Sequence, residues 1–123
     1  MARILAVDDE ESILGVIVDV LGSAGHDVVG VLDGEAALHE LIKSRFDLAL
    51  IDVMIPKIDG YHLAVKIQSL PTPPKVVIVT SRNFETDRDK VLSVGASAFL
   101  PKPFTKNDLL DVVKNLVPPK EGK

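Results

Sequence analysis

Five polar side chains stand where short runs of Val, Ile and Leu come to an end. They are Asp8, Asp9, Asp52, Thr80 and Lys102. If the runs are strands of one parallel sheet, their carboxyl ends share an edge of that sheet. The sequence therefore predicts that three carboxylates, a hydroxyl and an ammonium group converge, although they are far apart along the chain.

Three carboxylates held close together repel one another, so at neutral pH they share a proton or gather a cation. Mg²⁺ prefers oxygen ligands, retains several waters and commonly bridges a carboxylate to a phosphoryl oxygen. An open site with few protein ligands suits it better than Ca²⁺. Zn²⁺ is less suitable, because the chain has no Cys and because His26, His39 and His62 lack ligand spacing. Mg²⁺ is the expected cofactor.

A carboxylate beside such an ion can attack phosphorus and form an acyl phosphate, provided that the charge on the equatorial oxygens is neutralised. The ion would cover one phosphoryl oxygen, Lys102 would pair with another, and the Thr80 hydroxyl would donate to a third. Taken singly, Asp8 and Asp9 could simply precede a helix, and Asp52 could be a turn residue. The joint pattern favours phosphorus chemistry.

Five short apolar runs must position these groups, and segments with helical periodicity separate the runs. This alternation indicates βαβ units. Their unbroken hydrophobicity suits strands covered on both faces. The runs are Ile4–Val7, Val28–Leu32, Leu48–Ile51, Val76–Val79 and Ala98–Leu100. The second and fifth carry the weakest strand signals and are expected at the edges. We predict a doubly wound, flavodoxin-like α/β fold with five parallel strands in the order 2-1-3-4-5 and helices on both faces.

Glycine, proline and threonine mark the expected ends of the helices. The first helix should end at Gly25 and the fourth, from about Glu85 to Val94, at Gly95. Pro71 should stop the third helix, which extends to Leu70. The last helix should begin at Thr105, capped through the amide of Asp108, and reach about Val117.

Composition narrows the classes of function. A chain of 123 residues with 46% hydrophobic residues fits one compact domain. A formal charge of −4 offers no general attraction to nucleic acid or anionic lipid. Asp8 and Asp9 interrupt the first apolar stretch before it reaches a membrane-spanning length. We therefore expect a cytoplasmic protein without direct contact with nucleic acid or membrane.

Four motifs together identify a family. They are Asp8-Asp9 in LAVDDEE, Asp52 in LIDVMIPKIDG, Thr80-Ser81 after VVIV, and Lys102-Pro103 in FLPKPF. In this order the chain resembles a response-regulator receiver domain, the CheY-like phosphoacceptor domain of two-component signalling, along nearly its whole length. The resemblance implies a receiver domain over residues 1–118, followed by a short charged tail over residues 119–123.

The resemblance also implies roles for individual residues. Asp52 would be the phosphoacceptor, with Mg²⁺ bound by Asp8, Asp9, Asp52 and the backbone carbonyl of Met54. Lys102 would contact the phosphoryl group, and its peptide bond to Pro103 would be cis. Thr80 and Phe99 would form the switch pair.

The expected phosphodonor is a sensor histidine kinase or a histidine phosphotransfer protein, and output would leave through the face made by the fourth helix, the fifth strand and the fifth helix. The chain would be a monomer or a phosphorylation-dependent dimer. It would not be an enzyme beyond catalysing its own phosphorylation and dephosphorylation.

The first helix has a wide apolar face, because Leu14, Val16 and Val18 add to the stripe that core packing needs. This face is either a docking surface for the kinase or a surface packed between the sheet and a neighbouring helix.

Other functions remain open at this stage. A flavodoxin-like electron carrier shares the fold, but the sequence Asp-Asp-Glu-Glu after the first strand repels a cofactor phosphate. An aspartyl phosphatase would usually have a second acid where Met54 stands. Two further alternatives are an interaction module that works without phosphorylation and the receiver half of a truncated regulator that carries an effector.

Overall fold

The structure is a computed structural model that describes residues 2–81 and 84–117, with residues 84–87 described by their backbone alone. Strands and helices alternate along the chain. The strands are β1 (Arg3–Val7), β2 (Asp27–Val31), β3 (Leu48–Asp52), β4 (Lys75–Thr80) and β5 (Ala98–Pro101). The helices are α1 (Glu11–Ser23), α2 (Gly34–Lys43), α3 (Gly60–Gln68), α4 (Phe84–Ser93) and α5 (Lys106–Leu116).

The five strands form one parallel sheet in the order β2-β1-β3-β4-β5, which confirms the predicted doubly wound fold. The register aligns the carboxyl ends of the central strands. Asp52 lies opposite Val79, and Thr80 lies opposite Pro101. The strand ends that carry polar residues therefore lie side by side at one edge of the sheet.

Each face of the sheet is covered by its own hydrophobic core. Alternate residues such as Leu5 and Ile51 pack with residues of α2, α3 and α4. The residues between them, such as Ile4 and Leu50, pack with residues of α1 and α5. Since neighbouring strand residues point to opposite faces, burial of both faces requires the unbroken apolar runs seen in the sequence.

The edge strand β2 is less buried than β1, and its glycine makes room for α1. A Cβ at Gly30 would lie 3.1 Å from the side chain of Leu14, which is buried in the core beneath α1. Leu14 therefore belongs to the packed surface of α1 and not to an accessible face. The second strand, predicted over Val28–Leu32, is shifted by one residue, because β2 begins at Asp27 and ends at Val31, and Leu32 is exposed.

Most helix ends follow the local signals. Gly25 and Gly95, after α1 and α4, have positive φ angles of 95° and 82°, as the left-handed conformation after a helix requires. Thr105 and Asp108 form a reciprocal capping box at the start of α5. The third helix is shorter than predicted, because α3 ends at Gln68 rather than Leu70. The domain boundary at residue 118 and the tail over residues 119–123 lie outside the described residues.

Among the described helices, none combines the length and the apolar character that crossing a bilayer requires.

Gly60, the first residue of α3, brings that helix against the backbone of the strand that ends in Asp52. A Cβ on Gly60 would lie 2.4 Å from the Asp52 carbonyl oxygen and 2.7 Å from the Val53 Cα. The amide of Gly60 also donates a hydrogen bond to the Val53 carbonyl, at 3.0 Å. The position of α3 thus depends on the absence of a side chain at residue 60.

Substitution of Gly60 by alanine should lower the free energy of unfolding by about 2 kcal/mol, because the added methyl group cannot fit without moving backbone. The matched control is Gly15→Ala in α1, where a Cβ would meet nothing within 4 Å. That change should raise the free energy of unfolding by about 0.5–1 kcal/mol through helix propensity. Urea denaturation measures both, and a stabilising Gly60→Ala would contradict the close approach of α3.

Candidate functional site

Two buried carboxylates, those of Asp8 and Asp52, lie at the centre of the site. Asp8 directly follows β1 and is 1% exposed, and Asp52, the last residue of β3, is 4% exposed. In each carboxylate, one oxygen accepts a hydrogen bond from a nearby backbone amide. The Glu10 amide donates to Asp8 Oδ1 at 2.9 Å, and the Met54 amide donates to Asp52 Oδ1 at 3.0 Å. The remaining oxygens, Oδ2 of both residues, contact the same ammonium group.

That ammonium group belongs to Lys102. Its Nζ lies 2.9 Å from Asp52 Oδ2, 3.0 Å from Asp8 Oδ2 and 3.3 Å from Glu10 Oε1. The Lys102 amide donates to the Thr80 carbonyl at 2.8 Å, which fixes the segment after β5 against the end of β4. The peptide bond between Lys102 and Pro103 is cis.

Burial and ion pairing act against each other at this site. Burial raises the pKa of Asp52, although the hydrogen bonds from Lys102 and the Met54 amide act to lower it. Burial alone would lower the pKa of Lys102, but its contacts with Asp52 and Asp8 outweigh burial and raise that pKa. An ion pair usually lowers the pKa of its acid. The pKa of Asp52 departs from this because burial of the carboxylate outweighs the contact with Lys102, and the nearby charge of Asp8 adds to the rise.

The oxygen atoms present fit a hard divalent cation. The carboxylates of Asp8, Glu10 and Asp52 offer oxygens that lie within 4.8 Å of one another. Within the described residues, Asp8 Oδ2 has an ion pair with Lys102 but no contact with hydrogen-bond geometry, and it is buried. Such an oxygen has free capacity to accept, and an all-oxygen group of ligands is the kind that Mg²⁺ binds.

The structure separates the two acids of the predicted metal pair. Asp8 lies in the cluster, whereas Asp9 is exposed and is not one of the three described carboxylates that meet there. The Met54 side chain is also exposed, and its amide is engaged by Asp52. Direct metal binding by Asp9 and by the Met54 carbonyl stays a prediction.

Glu10 is the site residue that the sequence reasoning missed. It stands at the N-cap of α1, one residue beyond the acidic pair, and so reaches the same edge of the sheet. The signal was the length of the acidic run, Asp-Asp-Glu-Glu, of which only the first two residues were assigned a role.

Thr80 and Phe99 occupy adjacent strands on one face of the sheet. Thr80 is the buried last residue of β4, and Phe99 lies opposite Ile78, two residues earlier on that strand. Since residues two apart share a face, Thr80 and Phe99 are diagonal neighbours. Phe99 is half-buried against the core that α2, α3 and α4 cover. Their role as a switch pair stays a prediction.

Comparison with known proteins identifies the family. Residues 4–114 match the family model described as the response regulator receiver domain. The chain is a response-regulator receiver domain. Receiver domains are signalling switches rather than conventional enzymes, and they act with histidine kinases in two-component signal transduction. This family assignment argues against the two alternatives of an electron carrier and an aspartyl phosphatase.

Individual relatives agree with this assignment. The transcriptional regulatory protein CpxR of Escherichia coli K12 is 34% identical over 117 residues, which are 95% of this chain and 50% of CpxR. The alkaline phosphatase synthesis transcriptional regulatory protein PhoP of Bacillus subtilis is 33% identical over 94% of this chain and 48% of its own length. The chain thus spans about half the length of these curated relatives.

A solved structure of similar length gives the same result. The chemotaxis response regulator CheY4 of Vibrio cholerae superposes with a TM-score of 0.91 at 29% identity, covering 95% of this chain and 99% of CheY4. A CheY-like receiver domain protein from Methanospirillum hungatei has a TM-score of 0.87 at 30% identity, over 94% of this chain and 92% of its own.

Replacement of Lys102 by methionine should lower the free energy of unfolding by about 3 kcal/mol in the presence of a chelator, because it leaves buried carboxylates without their cation. Mg²⁺ should restore more stability to this variant than to wild type, since a divalent cation then replaces the ammonium group. Urea denaturation with and without Mg²⁺ measures both effects.

Lys75→Met is the control, because the side chain of Lys75 donates to the Leu116 carbonyl, outside the acidic cluster. A Lys102→Met protein that is as stable as wild type, or that gains no more from Mg²⁺, would contradict this view of the cluster.

Proposed function

We propose that this receiver domain is a phosphoacceptor switch in which Asp52 receives a phosphoryl group, with Mg²⁺ as cofactor. The donor is a phosphohistidine on a sensor histidine kinase or a histidine phosphotransfer protein, and the output is contact with another protein. The observation that carries the proposal is the placement of Asp52 at the end of a central strand, 2.9 Å from the Lys102 ammonium and among further carboxylates.

The residues have separable roles in the transfer. A carboxylate oxygen of Asp52 forms the new bond to phosphorus, the bond from phosphorus to the imidazole nitrogen breaks, and the electron pair stays on that nitrogen. Lys102 pairs with a phosphoryl oxygen and the Thr80 hydroxyl donates to another. Asp8, Asp9, Asp52 and the Met54 carbonyl hold the Mg²⁺, which when bound neutralises charge on the phosphoryl oxygens.

Thr80 and Phe99 then carry the change away from the site. Thr80 moves toward the phosphoryl group, and Phe99, its diagonal neighbour, fills the space that becomes available. Phe99 has no hydroxyl group, so it acts through packing. The affected face consists of α4, β5 and α5, and it contacts the output partner or, after phosphorylation, a second copy of the chain.

A groove beside Lys102 is the proposed docking site for the histidine-bearing partner. It encloses about 430 Å³ between the start of α1 and the segment after β5, and it is lined mainly by apolar groups of Ile13, Val16, Pro103 and Phe104. Val16 is 51% exposed. An apolar groove next to the phosphoacceptor allows a partner to bury surface while it presents its phosphohistidine to Asp52.

We also propose boundaries for the domain and a location for the protein. The receiver domain occupies residues 1–118, residues 119–123 form a charged tail, and the protein acts in the cytoplasm without direct contact with nucleic acid or membrane. One alternative is the receiver part of a regulator that carries an effector, and it is supported by the curated relatives, which are about twice as long and are named as transcriptional regulators. An interaction module that works without phosphorylation is the other alternative.

Incubation with Mg²⁺ and a small acyl phosphate should add the mass of one phosphoryl group to the wild-type protein, as measured by intact mass spectrometry. Asp52→Asn should remain unmodified, because the amide is not a nucleophile toward phosphorus. A chelator should abolish the modification. A wild-type protein that no donor modifies, or a cellular function that Asp52→Asn leaves intact, would favour the phosphorylation-independent module.

Val16→Gln should slow transfer from a phosphorylated histidine phosphotransfer domain about tenfold relative to transfer from a small acyl phosphate, since loss of one central apolar contact costs about 1.4 kcal/mol of binding. The control is Val65→Gln on α3, where the side chain is similarly exposed at 53% but lies outside the groove. Rapid-quench kinetics with both donors gives the ratio, and equal ratios for the two variants would exclude docking on α1.

A further inference from the structure

The proposed function leaves one contact of Lys102 unexplained. A lysine ammonium has three N–H donors, and here it faces three carboxylate oxygens. Two belong to Asp8 and Asp52. The third is Glu10 Oε1, which makes the longest of the three contacts, at 3.3 Å. Nothing in the transfer described above uses Glu10.

The three carboxylates differ sharply in their exposure to water. The side chains of Asp8 and Asp52 are almost completely buried, whereas that of Glu10 is 59% exposed. Breaking the contact of Lys102 with a buried carboxylate leaves a charge without a partner or solvent, which is strongly unfavourable. Glu10 can instead turn into water, and an exposed ion pair contributes little to stability. Glu10 is therefore the partner that Lys102 exchanges most readily.

The backbone of Glu10 is fixed, whereas its side chain is held by the contact with Lys102 and not by capping of α1. Its amide donates to Asp8 Oδ1 at 2.9 Å, so the main chain of Glu10 is fixed to a buried carboxylate of the site. The side chain caps no amide of α1, a helix that the structure describes in full. Movement of the carboxylate away from Lys102 thus requires rotation of side-chain bonds alone.

We propose that Glu10 is a positioning residue that occupies, in the unphosphorylated protein, the Lys102 donor needed by the incoming phosphoryl oxygen, and that this competition slows phosphorylation by small anionic donors. The inference rests on the proposed function of Asp52. When the phosphoryl group arrives, Lys102 keeps Asp8, and the phosphoryl oxygen replaces the Glu10 carboxylate.

The test compares three variants at saturating Mg²⁺ with a small acyl phosphate as donor. Glu10→Gln should be phosphorylated roughly two- to fivefold faster than wild type, as expected for loss of an exposed ion pair. Glu11→Gln, which removes the same charge from the adjacent exposed residue, should match wild type. Glu10→Asp keeps the charge but is one methylene shorter, so its carboxylate no longer reaches Lys102, and it should be as fast as Glu10→Gln.

A second measurement reports the contact without any phosphorylation. In ¹H–¹³C NMR spectra of the protein without donor, the ε-methylene resonance of Lys102 should shift in Glu10→Gln and remain in place in Glu11→Gln. Mg²⁺ affinity, measured by calorimetry, should fall no more in Glu10→Gln than in Glu11→Gln, because each variant removes one negative charge near the site and the competition is for Lys102 and not for the ion.

Each contrary result identifies what fails. A wild-type protein that the donor does not modify overturns the proposed function itself. A wild-type protein that is phosphorylated, together with a Glu10→Gln that is no faster, overturns the inference alone. Equal acceleration by Glu10→Gln and Glu11→Gln, or a wild-type rate for Glu10→Asp, would show that general charge repulsion acts instead. A loss of Mg²⁺ affinity larger than that in Glu11→Gln, together with slower phosphorylation, would make Glu10 a metal ligand and would overturn the inference.

Discussion

One ammonium group among three carboxylates is the constraint on which the rest of this structure depends. Lys102 Nζ lies within 3.3 Å of Asp8, Asp52 and Glu10, and two of these acids are buried. Without this ammonium group, two buried carboxylates would be left close together with no positive charge beside them. Backbone hydrogen bonds position the groups that make this contact. Backbone amides donate to Oδ1 of Asp8 and of Asp52, and the Lys102 amide donates to the Thr80 carbonyl.

The parallel sheet explains how groups so distant in sequence meet. Lys102 and Glu10 are separated by 92 positions, and they become neighbours because both lie beyond the carboxyl ends of strands in one sheet. Both faces of the sheet are covered by helices, so side chains along the strands must be apolar. Polar groups concentrate at the ends, where the phosphoacceptor chemistry is proposed to take place.

Local rules made most of this predictable. Unbroken apolar runs located the strands, Gly25 and Gly95 marked helix ends, and residue identity at each strand end located Asp8, Asp52 and Lys102. Sequence alone does not show which side chains at the start of a helix point into the site and which point into solvent. Asp9 was therefore expected in the cluster where the structure places Glu10. Periodicity likewise placed Leu14 on the apolar side of α1 but did not reveal that Gly30 leaves space for it in the core.

Stability alone does not account for the acidic cluster. Replacing a buried ion pair by apolar side chains is often neutral or stabilising, because desolvation offsets the attraction between the charges. Here the imbalance is greater still, since three carboxylates share one ammonium and burial raises the pKa of Asp52. Further positive charge entering the site would relieve this cost, and a phosphoryl group can be accepted only when its own charge is neutralised as well. In the proposed function a divalent cation would meet both needs, so the shortage of positive charge among the carboxylates would couple binding of the ion to acceptance of the phosphoryl group.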